Sequence, residues 1–230
     1  QVVYVSDNIG YLYAYDLNEN KILWAKNYKT PFRSNLKIIQ GKLIAANQNN
    51  ILYFFDKITG DIIKSIPTEE NIIKNEFISN LSSNEKYTFF LNTYGSLYAI
   101  DNNRMQIVWF INLNQSIDIN PSNLFKGNQI IVKKSKIAVS SNRFTYVIDI
   151  ETGSIIYKNN FSSSVKPLIV NDYIFHITKN NLLIAMSLKT GEIIYSLNIN
   201  EEIAKFLNTK KKKAEFLNIF MVNNEIFIFL

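Results

Sequence analysis

Short apolar runs alternate with polar turns along the whole chain. One unit reads YFFDKITGDIIK, residues 53 to 64: an apolar strand, an Asp, a turn containing Thr59-Gly60, and a second apolar strand. The same phrase recurs as YAYDLNENKILW (13–24), YAIDNNRMQIVW (98–109), YVIDIETGSIIY (146–157) and IAMSLKTGEIIY (184–195). Taking Asp16, Asp56, Asp101, Asp149 and Ser187 as anchors, the spacings are 40, 45, 48 and 38 residues. Six residues beyond each anchor stands Ile: Ile22, Ile62, Ile107, Ile155 and Ile193. Eight beyond stand Trp24, Lys64, Trp109, Tyr157 and Tyr195. β-Branched and aromatic residues in such runs predict strands, and turn residues between them predict hairpins.

Two further apolar runs precede each full unit. In the second copy they are NLKIIQ (35–40) and KLIAAN (42–47), joined around Gly41; in the fifth, PLIVN (167–171) and YIFHIT (173–178), joined around Asp172. Four consecutive strands per ~40–45 residues is the signature of a propeller blade. A lone four-stranded sheet cannot bury both faces, whereas sheets stacked side by side cover one another. The predicted fold class is therefore all-β, a β-propeller of four-stranded antiparallel blades in one domain over residues 1–230. Blades are expected at about 1–27, 35–66, 75–113, 124–160, 166–198 and 214–230, four full and two partial. The chain opens on Gln1 within an apolar run and closes on EIFIFL, so it is expected to be part of a longer ring. Pro31, Pro67, Pro121 and Pro167 are placed between blades, where no ladder N–H is needed. EEIAKFLN (201–208) spaces its apolar residues three and four apart and predicts a short helical turn.

The turn chemistry follows from the anchors. An Asp at the loop entrance accepts hydrogen bonds from N–H groups two or three residues on. Gly60, Gly153 and Gly191 permit positive φ four residues beyond the anchor, where Asn20 and Met105 stand in the other copies. Met adopts that conformation poorly, so the third loop is expected to differ in shape.

Composition narrows the function classes. With 47% hydrophobic residues the chain is able to bury a core. No Cys is present, which removes disulfides, thiolate metal sites and a Cys nucleophile. The net charge of +6 comes from Lys far more than Arg, in a chain rich in Asn and Ile. That is the usage of an AT-rich genome; nucleic-acid grooves favour clustered Arg and aromatics, and no nucleic-acid partner is expected.

Strand–Asp–x–x–Thr–Gly–x–Ile–x–Trp, preceded by Gly-x-Leu-Tyr-Ala, resembles the quinoprotein-type (PQQ-like) propeller repeat, most clearly in GYLYAYDLNENKILW (10–24) and GSLYAIDNNRMQIVW (95–109). Within that family, WAKNYKTPFRSNLKIIQGKLIAANQNNILYFFDKITG (24–60) is similar to the BamB group of outer-membrane assembly factors. The resemblance implies a ring of seven or eight blades. It further implies a cofactor-free monomer in the periplasm, at the inner face of the outer membrane. Such a scaffold binds periplasmic domains of a barrel-assembly subunit. The enzymatic relatives imply an alternative, a dehydrogenase using pyrroloquinoline quinone and Ca²⁺; a propeller binding a small ligand or polysaccharide is a third reading.

No residue is assigned a catalytic, cofactor-binding or metal-binding role. Asp16, Asp56, Asp101 and Asp149 are explained as turn residues, and Trp24 and Trp109 as blade packing. His176, the sole His, alternates with Phe175 and Ile177 and reads as a strand residue with a hydrogen bond or solvent contact. A triad of Ser140 or Ser141 with His176 has no Gly-x-Ser-x-Gly elbow behind it. Phe32, Arg33 and Ser34, following Pro31, are the candidate partner-binding residues: they link two blades on a rim, where Arg offers a bidentate contact to a carboxylate. Lys210, Lys211, Lys212 and Lys213 form either a solvated loop or a peripheral contact with anionic lipid or an acidic face.

Overall fold

The computed structural model describes residues 1–69, 78–114, 130–141, 143–210 and 214–229. The chain divides into two compact units, Gln1–Lys126 and Gly127–Leu230. In the first unit, β1 (Val2–Ser6), β2 (Tyr11–Asp16) and β3 (Lys21–Asn27) form one sheet. A second sheet holds β4 (Lys37–Ile39), β5 (Lys42–Ala46), β6 (Ile51–Asp56) and β7 (Ile62–Pro67). A third holds β8 (Asn80–Ser83), β9 (Tyr87–Leu91), β10 (Ser96–Asp101) and β11 (Gln106–Asn112).

The second unit begins with β12 (Ile131–Lys133), β13 (Lys136–Ser140), β14 (Thr145–Asp149) and β15 (Ile155–Asn159) in one sheet. The next comprises β16 (Leu168–Val170), β17 (Tyr173–Ile177), β18 (Leu182–Ser187) and β19 (Ile193–Asn198). Helix α1 (Ile199–Phe206) leads to a two-stranded sheet of β20 (Asn218–Val222) and β21 (Glu225–Phe229). Every sheet is an antiparallel meander of sequence neighbours, so the fold is all-β with four-stranded propeller blades. The predicted blade starts at 75 and 124, and Pro121, lie outside the described residues. Pro67 is not between blades: it is the last residue of β7, an edge strand, where its missing N–H disrupts no inner ladder.

The anchors build the hairpin loops as their chemistry requires. Asp56 Oδ1 accepts the N–H of Ile58 at 2.7 Å and of Thr59 at 2.9 Å. Asp101 does the same for Asn103 and Arg104, Asp149 for Glu151 and Thr152, and the shorter Ser187 for Lys189 and Thr190. These N–H donors hold the carboxyls of Asp101 and Asp149 below the usual carboxylate range. The third loop keeps the common shape, contrary to the sequence expectation. Met105 sits at φ 52° and donates its N–H to Asp101 O at 2.8 Å, as Gly60 does to Asp56 O at 2.8 Å. The left-handed conformation opposes this by about 1–2 kcal/mol. The Met105 side chain packs with Ile39 against the apolar cluster of the second and third sheets, which offsets the strain.

Each of the five anchor hairpins carries a β-bulge at the same position. Ala14 pairs with Trp24 but Tyr15 pairs with Ile22, leaving Leu23 as the extra residue. The same shift leaves out Ile63, Val108, Ile156 and Ile194. It turns the residue eight beyond the anchor across from anchor minus two, and leaves residues six and seven beyond it on the exposed edge. Ile22 is 58% exposed and Ile62 50%, so the recurring Ile is not core.

Within each unit the middle strands of adjacent sheets share apolar clusters. Leu12 meets Leu43, Ala45 and Phe55; Phe54 and Leu52 meet Phe90, Tyr98 and Ile100. In the second unit Val147 and Ala138 meet Ile174 and Met186. Each fully buried Phe or Leu contributes about 1.5–3 kcal/mol. Aromatic side chains add specific hooks between sheets. Trp24 Nε1 donates to Lys57 O at 3.2 Å, and Tyr157 OH donates to Leu188 O at 2.7 Å. Burial pushes the Tyr157 hydroxyl up to about 12, so it remains a donor.

Helix α1 begins two residues before the predicted 201 and ends two before 208. Asn198 caps it, accepting Glu201 N–H at 3.3 Å while its side-chain amide donates to Glu201 Oε1 at 2.8 Å. Asn208, at φ 49°, closes it: Asn208 N–H reaches Lys205 O and Thr209 N–H reaches Ala204 O, the paired bonds of a Schellman stop.

Candidate functional site

Residues 31–34 lead from β3 of the first sheet to β4 of the second and run beside the end of β5. Gln48 N–H donates to Pro31 O at 2.8 Å, and Arg33 N–H donates to Ala46 O at 3.0 Å. Ser34 bridges Ser79, whose N–H donates to Arg33 O at 3.0 Å. The backbone of this segment is therefore pinned on both sides.

The three candidate side chains divide into two kinds. Phe32 is 5% exposed, and its ring meets Tyr28, Tyr53 and Phe55 edge-on at centroid distances of 5.7, 6.1 and 5.9 Å. Ser34 is buried, and its Oγ accepts Ala46 N–H at 2.7 Å. Both serve the fold. Arg33 is half-buried, and its Nε is shielded from solvent with no hydrogen-bond partner among the described residues. A guanidinium carries five donors and no acceptor, and one buried donor left unmet disfavours the free state by about 1–3 kcal/mol. The planar guanidinium is the geometry that pairs with a carboxylate.

A polar network at the same end was not anticipated from the sequence. Asn50 Nδ2 donates to Thr93 Oγ1 at 2.9 Å and to Glu69 O at 3.1 Å. Glu69 accepts from Asn92 Nδ2 at 2.6 Å and from Ser96 Oγ at 2.9 Å. The signal lay in the Asn-rich turns NQNN (47–50) and NTYG (92–95), at matching places in their copies. Asn47 Oδ1 accepts the N–H groups of Asn49 and Ile51, and Asn92 Oδ1 those of Tyr94 and Ser96. These bonds fix the 47–50 loop beside Pro31 and Phe32, and the 92–95 loop that Asn50 joins to it.

His176 departs from its expected setting. It is 0% exposed, lies edge-on to Phe161 at 5.1 Å, and neither ring nitrogen has a hydrogen-bond partner among the described residues. Burial pushes it down to about 3, so it is a neutral core imidazole. Ser140 Oγ hydrogen-bonds Thr145 Oγ1 at 2.8 Å, and Ser141 Oγ engages Phe144. No triad geometry joins either serine to His176. For the Ca²⁺ of the enzymatic relatives, the described residues offer no cluster of carboxylates. Asp16, Asp101 and Asp149 stand on separate turns with Oδ1 engaged by backbone N–H, and among the described residues no group of three His, Cys, Asp or Glu side chains could hold a metal. Lys210 is exposed; Lys211, Lys212 and Lys213 lie outside the described residues.

The family model described as outer membrane protein assembly factor BamB matches residues 1–197. The chain belongs to this BamB family. No curated protein matches it by sequence. Among solved structures, BamB from Moraxella catarrhalis is similar with a TM-score of 0.79 at 15% identity, over 99% of this chain and 67% of that one. The computationally designed Ika8 protein is similar with a TM-score of 0.72 at 10% identity, over 99% of this chain and 64% of that one. Sqt1 from Saccharomyces cerevisiae gives 0.70 at 14% identity, over 85% of this chain and 58% of that one. At these identities the structural likeness shows the fold alone. The chain spans about two-thirds of the Moraxella BamB length and less of the other two.

Proposed function

We propose that this chain is a non-catalytic BamB-like scaffold on the periplasmic side of the outer membrane. It binds a protein subunit of the machinery that inserts outer-membrane β-barrel proteins, as a monomer and without a cofactor. The family match over residues 1–197 carries this reading. The geometry adds a physical means. Blades held by apolar clusters keep the loops at residues 31–34, 47–50 and 92–95 still, and binding belongs on loops that a rigid scaffold positions. Of Phe32, Arg33 and Ser34, Arg33 supplies the contact; Phe32 and Ser34 hold it in place. The partner chemistry that fits is a carboxylate on a protein surface.

The test is co-purification. The full-length tagged protein is isolated from detergent-solubilised envelopes of its own cells, and the bound proteins are identified. A barrel-assembly subunit is expected, weakened by Arg33→Glu. Stoichiometric uptake of pyrroloquinoline quinone with Ca²⁺ would overturn the reading in favour of a dehydrogenase. Glycan recovered without any barrel-assembly component would overturn it in favour of a polysaccharide binder.

A further inference from the structure

The first unit carries one pentapeptide twice. Residues 32–36 read FRSNL and residues 77–81 read FISNL, forty-five apart like their anchors Asp56 and Asp101. The pattern is Phe-x-Ser-Asn-Leu, where x is Arg33 in one copy and Ile78 in the next. The shared residues serve the fold. Phe32 and Ser34 are buried, Ser79 is 1% exposed and Leu81 3%. Asn35 Nδ2 donates to Leu81 O at 2.9 Å, and Asn35 Oδ1 accepts Leu81 N–H at 2.8 Å. Phe77 lies outside the described residues.

The two varying residues stand side by side. Ser34 and Ser79 form a parallel bridge, with Ser79 N–H donating to Arg33 O at 3.0 Å. Paired residues of parallel strands send their side chains to one face, and successive residues alternate between faces. Ser34 and Ser79 therefore share the inner face. Arg33 and Ile78, one step before each, share the outer one. Burial agrees: Ile78 is 71% exposed and Arg33 half-buried, against two buried serines. The backbone under the pair is held by Arg33 N–H on Ala46 O and by the Asn35–Leu81 bonds.

A cation and an aliphatic group are thus presented together on a pinned backbone. Arg33 takes part in none of the ion pairs among the described residues. Its Nε is shielded, which leaves the terminal nitrogens to meet a carboxylate end-on. An apolar group next to that carboxylate would bury against Ile78. We propose that Arg33 and Ile78 form one contact that takes an acidic residue of a protein partner flanked by a large apolar one. This rests on the reading of Arg33 as the contact residue, and adds Ile78 and the apolar half of the partner's chemistry. A phosphate is the poorer fit, since phosphate groups are recognised by clusters of Arg and here one guanidinium stands beside an aliphatic chain.

The test is an NMR titration of the full-length chain with small probes. The 230 residues hold three arginines, Arg33, Arg104 and Arg143, so Arg33→Lys identifies the Arg33 Nε–Hε resonance. The probes are isovalerate, acetate, the uncharged isovaleramide and inorganic phosphate. Isovalerate is expected to move the Arg33 resonance and the Ile78 methyls at about fivefold lower concentration than acetate, the effect of one small apolar contact. Ile78→Ser is expected to abolish that preference, leave the acetate response unchanged and, because the side chain is exposed, unfold at the parent's temperature. Equal responses to acetate and isovalerate would overturn the proposal, as would a preference that survives Ile78→Ser. A shift produced as readily by isovaleramide, or by no carboxylate at all, would overturn it too. A response to phosphate at lower concentration than to either carboxylate would assign Arg33 to a phosphate group instead. The titration needs no partner protein, so its failure strikes this inference alone, whereas failure of the co-purification strikes the scaffold reading.

Discussion

The indole of Trp24 rests against the bare Cα of Gly60 in the neighbouring sheet. A Cβ on Gly60 would come 2.9 Å from Trp24 Cε3. The second unit repeats the arrangement with Tyr157 and Gly191, where the distance would be 2.7 Å to Cδ2. The glycine four residues beyond an anchor therefore has two duties: positive φ for its own loop, and room for the aromatic ring of the preceding copy. Tyr28 OH and Asn159 Nδ2 also donate to the carbonyls of Gly60 and Gly191, respectively, which ties the same glycines in place.

The two duties are separable by substitution. Gly41 lies at φ 76° with open space where a Cβ would go, and Gly60 lies at φ 77° with Trp24 in that space. Gly41→Ala is expected to destabilise by about 1 kcal/mol, from backbone conformation alone. Gly60→Ala is expected to destabilise by about 1–3 kcal/mol more, from overpacking. Urea unfolding followed by Trp fluorescence reads the difference, since Trp24 and Trp109 both lie in the first unit. Equal losses for the two substitutions would refute the docking role.

Where the aromatic is missing, so is the glycine. Lys64 stands eight residues beyond its anchor, and the next copy carries Met105 where three other copies carry Gly. Phe54, opposite Lys64, and Met105 contribute to one apolar cluster in place of a docked ring. Lys64→Trp is expected to destabilise by about 1–3 kcal/mol. Met105→Gly in the same chain is expected to return part of that, with a coupling of about 1 kcal/mol in a double-mutant cycle. Additive effects would count against the pairing.

His176 makes stability depend on pH. Its folded value of about 3 lies below the ordinary 6.5, so the unfolded chain takes up the proton first. The stability is whole above about pH 6.5 and is lost as pH falls towards 3, with a slope of up to about 1.4 kcal/mol per pH unit. Asp101 and Asp149, held low by their loop N–H donors, add loss in the same direction below the usual carboxylate range. His176→Leu is expected to flatten the upper part of this profile. Thermal unfolding of both proteins across pH 7 to 4 checks it, and parallel curves would exclude His176 as the cause.

Arg33 places binding against stability. Arg33→Met removes a buried donor that the described structure leaves unmet, and is expected to keep or raise the unfolding temperature. The same variant is expected to lose the protein partner in the co-purification experiment. A variant that unfolds early would mean that Arg33 serves the fold instead.

Much of the architecture was legible because strands and turns are local. The anchors, their N–H donors and the apolar runs all act within a dozen residues, and the observed loops follow from them. The third loop misled because Met105 is strained locally and rewarded only by packing on a neighbouring sheet. What each side chain of the 31–34 turn does was not legible: the turn holds Phe32 in the core, Ser34 on a backbone N–H and, among the described residues, Arg33 without a partner for Nε.

The sequence by itself determined a repeated antiparallel meander, since pattern, turn residues and spacing are properties of consecutive residues. Only the tertiary structure decided which side each residue faces. The bulge at Leu23 and its counterparts inserts one residue into the pairing, and in a strand one residue is the difference between core and solvent. Thus the Ile six beyond each anchor lies exposed, while Trp24, two residues after Ile22, docks on Gly60, thirty-six residues further along the chain.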